Sequence, residues 1–338
     1  MPIHFLVLGD GAWGTSIAIL LSQNPDHRVT LWSAREENAQ ILRTHRENVR
    51  LLPGVPIPPS VELTSTLNPA VAEAALYIVA IPTVYMRETL RRIRPALRSD
   101  RPVLSLAKGL EIETFLRPTE IVHELLGTED LAVLSGPSHA EEVSRGLPTT
   151  LVAASTDPDL ARWIQQRFSS DRFRVYTNVD VVGVELAGAL KNIMGIAAGI
   201  SDGLGFGDNA KAALLTRGLV EMSRFGIALG AAHETFFGLA GLGDLITTCV
   251  SRHGRNRHVG ERLARGEKLP AILASMNMVA EGVFTTKSVH DRAARMGIEM
   301  PITAEVFRVL YEDKDPLTAV NDLMLREPTS EALRLKTH

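Results

Sequence analysis

Six residues near the start of the chain, Gly9-Asp10-Gly11-Ala12-Trp13-Gly14, constrain its fold most tightly. They follow the apolar run Ile3-His4-Phe5-Leu6-Val7-Leu8 and precede Thr15-Ser16-Ile17-Ala18-Ile19-Leu20-Leu21, which can open a helix. Strand, glycine-rich turn and helix, in that order, form the context in which G-x-G-x-x-G holds a dinucleotide. Gly9 permits the tight turn, Gly11 lets the backbone approach a pyrophosphate, and Gly14 lets the helix pack on the strand. The helix start then offers unpaired amides and a partial positive charge to the phosphates.

A length of 338 residues suggests about two domains. The net charge of −3 gives no electrostatic footprint for nucleic acid. No apolar run approaches the ~20 residues that span a bilayer. The opening residues carry no basic segment or cleavage site of a secretory signal, so a cytoplasmic location is expected. A single cysteine, Cys249, excludes an internal disulfide and a multi-cysteine metal site, and no metal is expected. Cys249 itself reads as a small apolar residue.

The first half alternates short apolar segments with amphipathic ones. Strands are expected at His4–Leu8, Arg28–Trp32, Leu76–Ile81, Val103–Ala107, Leu131–Ser135 and Thr150–Ala154. Helices are expected at Glu36–Arg46, Tyr85–Leu97 and Pro118–Leu126. This alternation predicts an α/β fold built on a doubly wound parallel sheet of Rossmann type. Leu52-Pro53-Gly54-Val55-Pro56-Ile57-Pro58-Pro59 cannot be helix and reads as a surface loop. Beyond about Asp180 the strand signals vanish and helical patterns take over, as in Val181–Ser201, Asn209–Leu229 and Pro270–Met276. The expected division is a dinucleotide-binding domain over 1–180 and a mostly α-helical substrate-binding domain over 181–338.

Ligands of such sheets bind beyond the carboxyl ends of the strands. After the second strand come Ser33, Ala34 and Arg35, where sites for NAD usually place an acid that holds the ribose 2′-hydroxyl. Arg35 could instead hold a 2′-phosphate through its planar fork, which favours NADP(H) while leaving NAD(H) possible. Glu36 and Glu37 read as the acidic first turn of a helix.

Four further stretches carry polar residues where periodicity predicts core. Lys108, at a strand end, suits an anion but equally an exposed loop. In Gly136-Pro137-Ser138-His139-Ala140-Glu141-Glu142, Ser138 can cap the following helix, and His139 is a weak candidate for a general base. Lys191 lies in the nearly continuous apolar segment Glu185–Gly199 beside Asn192. An ammonium buried there must face a cavity, a partner or a substrate, and it is a candidate proton donor and acceptor. Finally, Asp244 ends the glycine-rich Gly238–Gly243, where it could be an N-cap. Arg252, Arg255 and Arg257 with Asn256 form a basic turn that suits a phosphate.

Taken together, these segments resemble the NAD(P)-dependent glycerol-3-phosphate dehydrogenase family. The likeness runs from the glycine loop through Ala107-Lys108-Gly109, Ser135-Gly136-Pro137-Ser138, Ala189-Leu190-Lys191-Asn192, Gly207-Asp208-Asn209, Gly241-Leu242-Gly243-Asp244 and Arg255-Asn256 to Met278-Val279-Ala280-Glu281-Gly282. The resemblance implies reversible transfer of a hydride between NAD(P)H and dihydroxyacetone phosphate, giving sn-glycerol 3-phosphate for phospholipid synthesis, in an enzyme that is often a homodimer. It makes Lys191 the proton donor and Asp244 the residue that orients it. It makes Lys108, Gly136, Ser138, Lys191, Asp244, Gly254, Arg255 and Asn256 substrate contacts. Cofactor contacts would be Gly9, Gly11, Ala12, Trp13, Gly14, Ser33, Arg35, Lys108, Ala140, Arg255, Val279 and Glu281. Two positions depart from the family: Ala12 stands where many members carry serine, and Gly254 where serine usually precedes the Arg-Asn pair, so for Gly254 one phosphate hydrogen bond would come from Ser251, His253 or backbone instead. The turn after Trp32 also looks one residue longer than usual. The competing readings are a two-domain reductase of a keto acid such as ketopantoate, and a cofactor-binding regulator without catalysis.

Overall fold

The computed structural model describes residues 2–328. Two compact units divide the chain: Met1–Lys108 with Leu116–Val181, and Gly109–Phe115 with Val182–His338.

The first unit is built on strands β1 (Ile3–Leu8), β2 (His27–Trp32), β5 (Val61–Thr64), β6 (Leu76–Val79), β7 (Val103–Ser105), β8 (Leu131–Ser135), β9 (Thr149–Ala154) and β10 (Phe173–Asn178). They form one sheet in the order β10-β9-β8-β7-β6-β1-β2-β5. β3 (Glu47–Asn48) and β4 (Leu52–Pro56) form a separate antiparallel pair. The central strands are continuous apolar runs because helices cover both faces of a parallel sheet. Phe5, Leu6, Val7 and Leu8 of β1 are wholly buried, as are Leu76, Tyr77, Ile78 and Val79 of β6. Both neighbours of β1 run parallel to it, with Leu8 level with Trp32 on one side and Val79 on the other. The chain moves outward from β1 to β2 and then crosses back to β6, so the switch point of the sheet lies between β1 and β6. Gly9–Gly14 starts there, which is where sheets of this kind hold ligands.

The structure amends the sequence reading in three places. Leu52–Pro56 is not a loop. It pairs with Glu47–Asn48, burying Leu52 and Val55 and leaving its prolines exposed, as an edge strand allows. β5 and β10 were missed because they are edge strands with few apolar residues. β8 and β9 run antiparallel, so the sheet is mixed at that junction.

Among the described residues the second unit holds helices and the connections between them, with the short segment Gly109–Phe115 added from the first half of the chain. Its axis is the Val181–Gly203 helix, which buries Leu186, Ala187, Ala189, Leu190, Ile193 and Met194. Contrary to the sequence reading, this helix is long and apolar enough to cross a membrane by length and composition. The apolar stretch is 89% buried inside the protein, as expected of a core helix. Three glycines a turn apart explain how a neighbour can lie against it. A Cβ on Gly199 would come within 1.9 Å of Arg257 O, and one on Gly203 within 2.6 Å of Ala264 Cβ. A Cβ on Gly195 would meet Thr248 Cγ2 at 2.8 Å. The Arg255–Ala264 helix returns the fit, since a Cβ on its Gly260 would lie 2.1 Å from Ile196 O.

Candidate active site

In the first unit the glycine loop is shaped by close approach. Gly9 has φ +121°, and a Cβ there would stand 2.7 Å from Ala80 O at the end of β6. A Cβ on Gly14 would lie 2.0 Å from Gly9 O, whereas one on Gly11 would meet nothing within 4 Å. Gly11 therefore marks the open side of the loop. Among the described residues no side chain caps the Ala12–Leu21 helix, and no acid sits in its first turn. Its first amides suit an anion, so the loop fits the pyrophosphate of a dinucleotide. Trp13 Nε1 is shielded from solvent without a hydrogen-bond partner among the described residues. Ala12 is buried against the fold.

Sequence reasoning missed the residue that braces this loop. Asn48 Nδ2 donates to Asp10 O at 2.8 Å and to Thr15 Oγ1 at 2.9 Å, tying the loop to the helix behind it. The only sequence signal was an amide between a helix end and the apolar Leu51-Leu52.

Of the two residues assigned to the ribose end, Arg35 is exposed and Ser33 is buried, with Ser33 Oγ donating to Asp10 Oδ2 at 2.8 Å. Glu36 opens its helix as expected, and it accepts hydrogen bonds from Arg43 and Ser65.

Lys108, Gly136 and Ser138 come together at the ends of β7 and β8. Lys108 Nζ donates to Gly136 O at 2.8 Å and to Ser138 Oγ at 3.1 Å. The expectation that Ser138 caps the next helix fails. His139 holds the N-cap position of Ala140–Val143, while Ser138 Oγ turns back to donate to Gly136 O. Ala140 O accepts from Ser16 Oγ, which joins that turn to the helix after the glycine loop.

In the second unit Lys191 is 6% exposed and Asp244 2%. Lys191 Nζ lies 2.9 Å from Asp244 Oδ1 and donates to Thr248 Oγ1 at 2.5 Å. Asp244 begins the Asp244–Val250 helix, whose N-cap is Gly243, so it is not the N-cap that the sequence suggests. Thr248 lies four residues on and therefore faces the same way. A single π turn over Leu239–Gly243 leads directly into this helix. It needs glycine, because a Cβ on Gly241 would stand 2.0 Å from Phe236 O. Thr248 was not anticipated; its i+4 spacing from Asp244 was the available signal.

Asn192, next to Lys191, accepts from Asn256 Nδ2 at 2.9 Å, and Asn256 Oδ1 accepts from Gly282 N at 2.9 Å. This chain of amides fixes the starts of the Arg255–Ala264 and Glu281–Met296 helices beside the lysine. Arg255 is exposed and donates through Nη1 to Val279 O at 3.0 Å, which brings Arg255, Val279 and Glu281 near one another in the chain's fold. Arg257 is not part of a free basic turn. It is held by Asp202 at 2.6 Å and Glu261 at 2.9 Å. Gly254 is buried at the helix start, where a Cβ would approach Thr248 O to 2.9 Å. Burial pushes the Cys249 thiol up to about 12, so it stays protonated and is no nucleophile.

A mostly parallel α/β unit with a glycine loop at its switch point, in one chain with a helical unit that buries a lysine–aspartate pair, fits a two-domain nicotinamide-dinucleotide dehydrogenase. Family models sharpen this. Residues 4–161 match the N-terminus, and residues 180–321 the C-terminus, of NAD-dependent glycerol-3-phosphate dehydrogenase. The chain belongs to the NAD-dependent glycerol-3-phosphate dehydrogenase family. It is 49% identical over 332 residues to glycerol-3-phosphate dehydrogenase [NAD(P)+] of Chlorobium limicola, covering 97% of this chain and 99% of that protein. Glycerol-3-phosphate dehydrogenase of Coxiella burnetii superposes with a TM-score of 0.92 at 38% identity, over 96% of this chain and 99% of that one. A ketopantoate reductase from Ralstonia eutropha, covering 94% of this chain and all of that one, shares the fold alone, with a TM-score of 0.62 at 18% identity.

Proposed function

We propose that this chain catalyses the reversible NAD(P)H-dependent reduction of dihydroxyacetone phosphate to sn-glycerol 3-phosphate, with Lys191 as the proton donor. The observation that carries this reading is the buried amine of Lys191 at 2.9 Å from Asp244 in a chain of this family. The glycine loop Gly9–Gly14 would hold NAD(P)H, which when bound would supply the hydride for C2 of the ketone. Negative charge then builds on the C2 oxygen. Lys191 stabilises that charge, gives the oxygen a proton, and takes it back in the reverse direction. Asp244 compensates the buried ammonium and, with Thr248, fixes its direction.

Arg255 and Asn256 are assigned to the substrate phosphate, with Lys108, Gly136, Ser138 and Gly254 as further substrate contacts. Binding energy at that remote group orients the ketone, so it serves catalysis and not affinity alone. Gly9, Gly11, Ala12, Trp13, Gly14, Ser33, Arg35, Lys108, Ala140, Arg255, Val279 and Glu281 are assigned to the cofactor. Residues 1–180 form the cofactor domain in this reading and 181–338 the substrate domain. A cytoplasmic homodimer that feeds phospholipid synthesis completes it.

The test is to follow loss of absorbance of NADPH and NADH with dihydroxyacetone phosphate, beside a panel of 2-keto acids. Oxidation with dihydroxyacetone phosphate and none with ketopantoate is expected. The converse result overturns the substrate assignment, and no oxidation with any substrate overturns the catalytic one.

A further inference from the structure

Asp10, the first variable residue of the glycine loop, is held from two sides. Ser33 Oγ, at the end of β2, donates to Asp10 Oδ2 at 2.8 Å, while Asn48 Nδ2 donates to Asp10 O at 2.8 Å. Gly9 N donates to Trp32 O at 3.0 Å, so the loop and the end of β2 lie side by side. Ser33 is 1% exposed, and its hydroxyl also lies 3.1 Å from Arg35 O, the longer of its two acceptor distances. Both side chain and main chain of Asp10 are thus fixed independently.

Sheets of this type place an acid at the end of the second strand to accept hydrogen bonds from the ribose 2′-hydroxyl. Here that end reads Ser33-Ala34-Arg35. The next acid, Glu36, is taken by Arg43 and Ser65. We infer that Asp10 supplies the ribose-reading carboxylate from the glycine loop, with Ser33 as its positioning residue, and that it sets the cofactor preference. The inference rests on the reading of the glycine loop as the dinucleotide site.

A carboxylate offers about four lone-pair directions, and Ser33 uses one, leaving acceptors for a 2′,3′-diol. The same charge repels a 2′-phosphate, while exposed Arg35, two residues beyond Ser33, attracts it. Two opposed charges at one end of the cofactor site give an enzyme that takes both cofactors with only a mild bias.

The test is Asp10→Asn in the full chain, with dissociation constants for NADH and NADPH measured by calorimetry and kcat/KM for each measured alongside. Loss of the charge should shift the ratio of the two constants toward NADPH by roughly tenfold, the scale of a like-charge contact relieved at a half-exposed site. Ser33→Ala, which releases the carboxylate, should move the ratio the same way by less. If Asp10→Asn folds poorly, Asp10→Ser reads the same ratio. A ratio that stays put, or equal weakening of both cofactors, assigns Asp10 to loop structure and overturns the inference. Failure of the unaltered protein to bind either cofactor overturns the reading of the loop and the inference with it.

Discussion

The Lys191 amine stands 2.9 Å from Asp244 Oδ1, and both side chains are almost wholly withdrawn from solvent. Two charges buried together are costly to separate, because removing one leaves the other unpaired. Such a pair is a poor stabiliser compared with apolar residues of the same volume, so its burial between two helices asks for a chemical reason.

Replacing Lys191 with alanine should therefore abolish catalysis while sparing the first unit. Turnover of dihydroxyacetone phosphate is expected to fall by roughly a thousandfold or more, the combined worth of a proton donor and a charge stabiliser. Calorimetric affinity for NADPH should stay close to that of the unaltered protein. Near-normal turnover in the variant would remove Lys191 from the mechanism.

Arg255 calls for a different pattern. The residue is exposed, with Nη1 on Val279 O, and a guanidinium is the side chain that meets a phosphate bidentately. Arg255→Ala should raise KM for dihydroxyacetone phosphate by about ten- to a hundredfold, with a smaller change in kcat. An unchanged KM would move the phosphate elsewhere.

Much of this was legible in the residues. The glycine loop named the switch point, since only a strand–turn–helix gives G-x-G-x-x-G its meaning, and the strands around it are continuous apolar runs. Lys191 stood out as a charge without a polar face to sit on. Partners across the fold were not legible. Nothing near Asn48 announces that its amide reaches Asp10 and Thr15, 38 and 33 residues away. Arg257 looked equivalent to Arg255 in the basic turn, yet its position one residue past Asn256 turns it to Asp202. Leu52–Pro56 was misread because its prolines argue against regular structure, whereas an edge strand tolerates them.

The Gly199–Arg257 contact yields a stability prediction that bears on the site. A Cβ at position 199 would sit 1.9 Å from Arg257 O and 2.7 Å from its carbonyl carbon, and backbone cannot give way cheaply. Gly199→Ala should lower the free energy of unfolding by roughly 1–3 kcal/mol through overpacking, in spite of alanine's better helix propensity. Because the displaced helix begins with Arg255 and Asn256, KM for the phosphorylated substrate should rise as well. Denaturant unfolding and steady-state kinetics on the same preparation check both. Full retention of stability would mean that the two helices separate freely.

Glu221 gives the protein a pH dependence of its own. It is buried on the Asp208–Ala228 helix and accepts from Ile302 N, Thr303 N (3.2 Å) and Thr303 Oγ1 (3.1 Å) at the start of the Pro301–Tyr311 helix. Burial pushes its carboxyl up to about 7, against the opposing pull of those amides, the Thr303 hydroxyl and Arg224. Between the ordinary value of 4.5 and about 7 the folded protein therefore holds a proton that the unfolded chain has lost. Stability from this group falls as pH rises through that window, and is flat below and above it. The loss is on the order of 3 kcal/mol at one pKa unit per 1.36 kcal/mol. In Glu221→Gln the side chain cannot ionise, so this contribution to the slope should vanish. Urea midpoints measured across the window, in the unaltered protein and the variant, would show it. A variant that keeps the full slope would place the titrating group elsewhere in the molecule.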